Sequence, residues 1–190
     1  MKSERTNTRT HSAGVTLIET VIVIGIFAAL LSVIFSMYSG YMRLHTYNKA
    51  VLATAGSATI AANDLQDLVL QANRIATSAT ISGTVYTSDA STLVLELPSI
   101  DSSGAALAGK YDFVAFYVSG GKFYRVVSVD PASSRIPRSR TLSEAVTSVT
   151  FTYNSAISTA NQVTIDMQLS SLSLRQIVTH QLIQKLYVRN

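Results

Sequence analysis

Gly14-Val15-Thr16-Leu17-Ile18-Glu19 opens an apolar run that continues to Phe35, and the reading of this run decides how the chain is built. Across residues 15–38 the only charged side chain is Glu19. About 20 residues of helix cross a hydrocarbon core of ~30 Å, so residues 15–35 read as a membrane-spanning helix. Gly25 within it is tolerated in a lipid-facing helix. A carboxylate in such a helix costs roughly 2.5–3.5 kcal/mol on insertion scales, which marks Glu19 as a residue with a task. The order of parts is equally informative. A secretory signal peptide carries its small-residue cleavage site after the apolar core. Here the small residue, Gly14, precedes the core, behind a polar leader with Lys2, Arg5 and Arg9. Cutting after Gly14 leaves the apolar segment as the new N-terminus.

Beyond the membrane segment Tyr38, Tyr41 and Tyr47 suit an interfacial belt, with Arg43 and Lys49 beside them. The pattern then turns amphipathic. Val51, Ala55, Ala58, Ala62, Leu65, Val69, Ala72 and Ala76 recur at alternating spacings of four and three, one stripe on a helix. Asn63, Asp64, Gln66, Asp67, Gln71 and Arg74 fall off it. Five of the eight are alanines, so a flat partner, a sheet, can approach closely. A continuous helix over residues 16–76 is about 90 Å long at the usual rise.

After Ala79 the period changes to two. Residues 92–97 read as a strand ended by Pro98, and Asp101-Ser-Ser-Gly104 as a turn. Residues 111–118, apolar on both faces, read as a central strand. Ser119-Gly120-Gly121 makes a hairpin into a strand over 122–129. Residues 130–143, with Pro131, Pro137 and three arginines, read as an irregular exposed segment. Val149, Phe151 and Tyr153, then Val163, Ile165, Met167 and Leu169, alternate with polar residues as strands with one wet face. Residues 176–188 suit a helix by period and a strand by β-branched content; we assign a strand. The fold class is α+β: a long N-terminal helix on an antiparallel sheet.

Composition agrees. The 190 residues are 47% apolar and only 14% charged, natural for a chain carrying a membrane helix. The net charge of +4 loses Lys2, Arg5, Arg9 and Glu4 on cleavage, so the basic balance says little about nucleic acid, and none is expected as a direct partner. There is no cysteine.

The Gly-apolar-Thr-Leu-Ile-Glu segment with its polar leader resembles the N-terminus of type IV prepilins and type II secretion pseudopilins. Phe is commoner in that family where this chain has Val15. The layout of the whole chain is similar to the pilin architecture, and Leu97-Pro98, Tyr111-Asp-Phe-Val114, Tyr124-Arg125 and Tyr187-Val-Arg-Asn190 resemble weaker motifs of the larger minor members, the J-type or PilW-like group. The resemblance implies a leader at 1–14, a transmembrane and assembly helix at 15–42 and a pilin-like globular domain at 43–190. It implies cleavage between Gly14 and Val15 by a prepilin peptidase, N-methylation of Val15 by the same enzyme, and filament assembly through Thr16, Leu17, Ile18 and Glu19. Glu19 would meet the terminal amine of a neighbouring subunit in the filament core, where each buried charge relieves the other. Implied partners are other pilins or pseudopilins, the peptidase, an inner-membrane assembly platform and lipid. The implied location is the cytoplasmic membrane, single-pass, with the globular domain extracytoplasmic and periplasmic or extracellular after assembly. Two departures stand out: no disulfide-forming cysteines, and Ser36 near where major pilins carry a kinking proline, both closer to a minor subunit.

Enzyme patterns fail. His11, His45 and His180 are scattered, no nucleophile elbow exists, and Gly120-Gly121 lacks phosphate-loop spacing. No catalytic residue, cofactor or metal site is assigned; Asp101 and Asp112 fit turn stabilisation and a strand-edge charge better than calcium. The competing readings are a competence pseudopilin for DNA uptake and an uncleaved signal-anchored extracytoplasmic binding protein.

Overall fold

The computed structural model describes residues 14–173 and 176–188; residues 1–13 of the expected leader, and Arg189 and Asn190 of the closing motif, lie outside it. The chain divides into two compact units, the first ending at His45 and the second beginning at Thr46. Helix α1 (Leu17–Gln71) runs without interruption for 55 residues, through Ser36. From Leu17 to Phe35 the large apolar side chains of the helix are exposed among the described residues: Leu17 is 85% exposed and Phe35 72%. Among the described residues this is the one helix long and apolar enough to cross a membrane.

In the second unit α1 buries Thr54, Ala58, Ala61, Ala62, Leu65 and Val69. That face differs from the expected stripe at its start, where Thr54 and Ala61 join it and Val51 and Ala55 are only half-buried. A strict four-three alternation has a period of 3.5, and a straight helix of 3.6 residues per turn drifts off it by ~20° per heptad. Thr54 is admitted because its hydroxyl donates to the carbonyls of Ala50 and Val51 and needs no partner elsewhere.

The strands are antiparallel: β1 (Arg74–Ile75), β2 (Ser78–Ile81), β3 (Thr84–Thr87), β4 (Thr92–Ile100), β5 (Ala106–Ser119), β6 (Lys122–Ser128), β7 (Arg140–Ser143), β8 (Val146–Tyr153), β9 (Gln162–Ser173) and β10 (Gln176–Tyr187). They form a five-stranded sheet, β1-β4-β5-β6-β7, a three-stranded sheet, β10-β9-β8, and a β2–β3 hairpin. One core joins Ala58, Leu65 and Val69 of the helix to Leu93, Leu95 and Phe116 of the larger sheet and to Phe151, Ile165 and Met167 of the smaller. β5 is central as expected. Its inward Val114 and Phe116 enter this core, while outward Ala115 lies in a second cluster with Ile81 of the hairpin. The β5–β6 turn uses Gly120 and Gly121 at φ 56° and 72°, the paired left-handed geometry that a two-residue hairpin demands. The terminal segment is a strand, pairing with β9 over its full length.

Four expectations are corrected. The helix ends at Gln71, not Ala76, because the backbone of Asn73 donates to the Glu96 carbonyl at 2.8 Å and draws the chain into β1. Ala72 and Ala76 stay buried, but from extended backbone. β4 runs through Pro98 to Ile100, the missing donor being absorbed by a register shift between Pro98 and Ile100. Residues 140–143 of the supposed irregular segment form β7, with Leu142 and Ser143 buried. The β2–β3 hairpin adds two strands where the sequence reading has only a change of period, and Ser82-Gly83 between β-branched runs carries its signal, both residues at positive φ.

Ala58 is fully buried between helix and sheets, so Ala58→Leu is expected to destabilise by ~1–3 kcal/mol through overpacking, read from the shift in chemical unfolding. Burial pushes the Tyr153 phenol up to about 12, and its hydroxyl bonds the carbonyls of Asp89 at 3.0 Å and Thr92 at 3.1 Å. An unfolded tyrosine ionises near pH 10, so between pH 10 and about 12 the unfolded chain holds fewer protons and stability falls as pH rises. Tyr153→Phe should flatten that fall in a pH series of melting temperatures, leaving the smaller contribution of Tyr117, also raised by burial.

Candidate functional site

Gly14, Val15 and Thr16 precede α1, and Leu17, Ile18 and Glu19 form its first turn. Thr16 is the cap. Its hydroxyl accepts from the Glu19 backbone amide at 3.3 Å, and its carbonyl accepts from the Thr20 amide at 3.1 Å and the Thr20 hydroxyl at 3.3 Å. Thr16-Leu-Ile-Glu19 thus has the spacing of a capping box, and an acid in the first turn favours the positive end of the helix dipole. The Glu19 carboxylate itself makes no hydrogen bond or ion pair with any described residue. Among the described residues an added Cβ at Gly14 would meet nothing within 4 Å, and its backbone is not left-handed. Val15, Leu17 and Ile18 are all strongly exposed. The six residues singled out from sequence are therefore contiguous and exposed; Thr16 and Glu19 serve the helix start, and the Glu19 carboxylate has no described partner.

Chemistry elsewhere is consumed by structure. Asp64, placed on the wet side of the helix by its sequence pattern, receives Arg125 through two contacts of 2.8 Å and also Arg140, tying α1 to β6 and β7. Glu96 is buried and takes Asn73 at 3.1 Å and Arg74 at 2.9 and 2.6 Å; its carboxylate raises the Arg74 pKa. Asp112, expected as an edge charge, is completely buried. It accepts from Ser99 at 2.8 Å, the Asp130 amide at 2.9 Å, Ser133 at 2.9 Å and Arg135 at 2.9 Å, so the carboxylate is saturated. Arg135 continues to Gln71 and the Pro98 carbonyl, pinning the β6–β7 connection to the end of α1. Such burial was not legible in sequence, because it depends on cations brought from 61 and 23 residues away.

Asp101 does what its turn suggested, accepting from the amides of Ser103 and Ala105 and the Ser103 hydroxyl. The Ser103 hydroxyl foremost, then these amides, holds its carboxyl below the usual range. His45 lies tilted against Tyr41, ring centroids 6.2 Å apart, and His180 lies on β10; His11 is outside the described residues. Among the described residues no three His, Cys, Asp or Glu side chains gather as metal ligands.

Arg135→Ala strands the buried Asp112 charge. We expect about 3 kcal/mol of lost stability, at the low end for a broken buried pair because three donors remain, measured by denaturant unfolding.

No family model, no curated protein and no solved structure matches the chain.

Proposed function

We propose that the protein is a minor pilin or pseudopilin: a structural subunit, not an enzyme, anchored by α1 in the cytoplasmic membrane and incorporated into a type IV pilus-like or type II secretion filament. The observation that carries this reading is the mismatch at the N-terminal segment between residue identity and local need. Among the described residues glycine at 14 relieves no clash and fills no left-handed position, and the Glu19 carboxylate answers no group. Residues that the fold itself does not require are explained by agents outside the chain: a peptidase needing a small residue at the cut, and a neighbour offering a terminal amine. Uncovered apolar side chains through the first half of α1 fit lipid first and packed helices of other subunits afterwards. Processing would leave Val15 as the new, methylated terminus, with Thr16, Leu17 and Ile18 beside Glu19 at the contact.

Two substitutions test this in the native host. Gly14→Leu should leave an unprocessed precursor, whereas mass spectrometry of the native chain should find Val15 first. Glu19→Ala should insert normally and keep a folded second unit, yet fall sharply in sheared filaments relative to membranes. The loss corresponds to about 3–5 kcal/mol for one member of a buried pair. Full incorporation of Glu19→Ala, or a native chain retaining Met1, would favour a signal-anchored binding protein instead.

A further inference from the structure

From the state of the sheet edges, we infer that β10 is the seat for an extended strand contributed by a different polypeptide. The other edges are short or already occupied. β1 has two residues and β7 four. The outer side of β8 is met at both ends, Val146 donating to the Gly121 carbonyl at 3.0 Å and Phe151 to that of Ala90 at 2.9 Å. β10 differs. It pairs on one side with β9 through twelve consecutive residues without a register shift. Among the described residues no hydrogen bond from elsewhere reaches its backbone, so every second N–H and C=O along its outer side lacks a protein partner. Natural edges are blunted by proline, bulges, inward charges, brevity or edge lysines, and of these β10 has only the single Lys185. An unpaired ladder of this length recognises extended backbone by main-chain hydrogen bonds, with alternate side chains setting preference.

The occupant is narrowed by charge and by symmetry. Lys185 is the only charge on β10, is exposed and has no ion-pair partner among the described residues, so the incoming strand carries a carboxylate opposite it and apolar side chains beside exposed Ile177, Ile183 and Tyr187. A second copy of this chain is disfavoured. Antiparallel pairing of two β10 strands creates a two-fold axis normal to the sheet, which reverses the helix packed on that sheet. Copies whose helices enter one membrane cannot be so related. This exclusion rests on the membrane-anchored reading; the open edge does not.

The test uses the full chain in detergent micelles and soluble strand-forming peptides of alternating Val and Thr with a central Glu or a central Lys. Hydrogen exchange of the chain alone should show β10 amides alternating between protected and fast, whatever the protein's function. Adding the Glu peptide should slow the fast set, and the Lys peptide should bind a few-fold more weakly. Lys185→Glu should reverse that order without changing the melting temperature. Uniform protection in the chain alone, or no slowing at millimolar peptide, overturns the inference. Protection that appears only as the chain itself dimerises overturns the choice of a foreign strand and counts against the shared-membrane anchoring as well.

Discussion

The structure depends on how α1 is covered: protein closes over one stretch of its apolar side chains and not over the other. From Thr54 to Val69 the covering partner is protein: alanines at 58, 61 and 62 keep the helix surface low enough for two sheets to close on one shared core. Large residues there would hold the sheets off and leave voids, each costing stability in proportion to its size. From Leu17 to Phe35 no described residue covers the helix, and the side chains are long and branched instead of small. The same backbone thus carries two surface chemistries, one matched to close-packed strands and one matched to hydrocarbon.

Charge is used sparingly in the second unit, mostly where separate segments must be held in register. Asp64 draws β6 and β7 to the helix, Glu96 turns the chain out of the helix into β1, and Asp112 straps the β6–β7 connection against the end of α1. Each carboxylate is at least largely buried and each takes arginine, whose planar fork suits two-point contact. Removing either partner exposes the cost of the other, so the pairs act more as fasteners of position than as sources of net stability. Glu19 differs in place: it is the one acid in the uncovered first half of α1, its carboxylate has no described partner, and on this the proposed role in assembly rests.

The same contrast separates what is closed from what is open. The aromatic ladder Tyr86–Tyr117–Tyr124, with ring centroids 5.1 and 5.3 Å apart, seals the outer side of the larger sheet beneath the β2–β3 hairpin. Among the described residues the smaller sheet has no strand paired to the outer edge of β10. Among the described residues the fold leaves uncovered the first half of α1 and the outer edge of β10, the two surfaces on which the proposed assembly role would draw.

The helix, its membrane-compatible half, the central strand β5, the Gly120-Gly121 turn and the alternating strands β8 and β9 were all legible in sequence. Each follows from a local rule: hydropathy over twenty residues, period two, or the backbone freedom of glycine. So was the candidate segment from Gly14 to Glu19, because its signal lies in six adjacent residues. What only the tertiary structure decided were matters of long-range partnership. Where α1 stops depends on Glu96, 25 positions beyond Gln71. Whether Asp112 is an edge charge or a buried hub depends on Arg135, and whether residues 140–143 are loop or strand depends on β6 offering an edge. Splitting the strands into two sheets likewise depends on which edges meet, and a period of two is the same in either. Local sequence sets the repeat and the turn; burial and pairing are properties of neighbours that only the folded chain brings together.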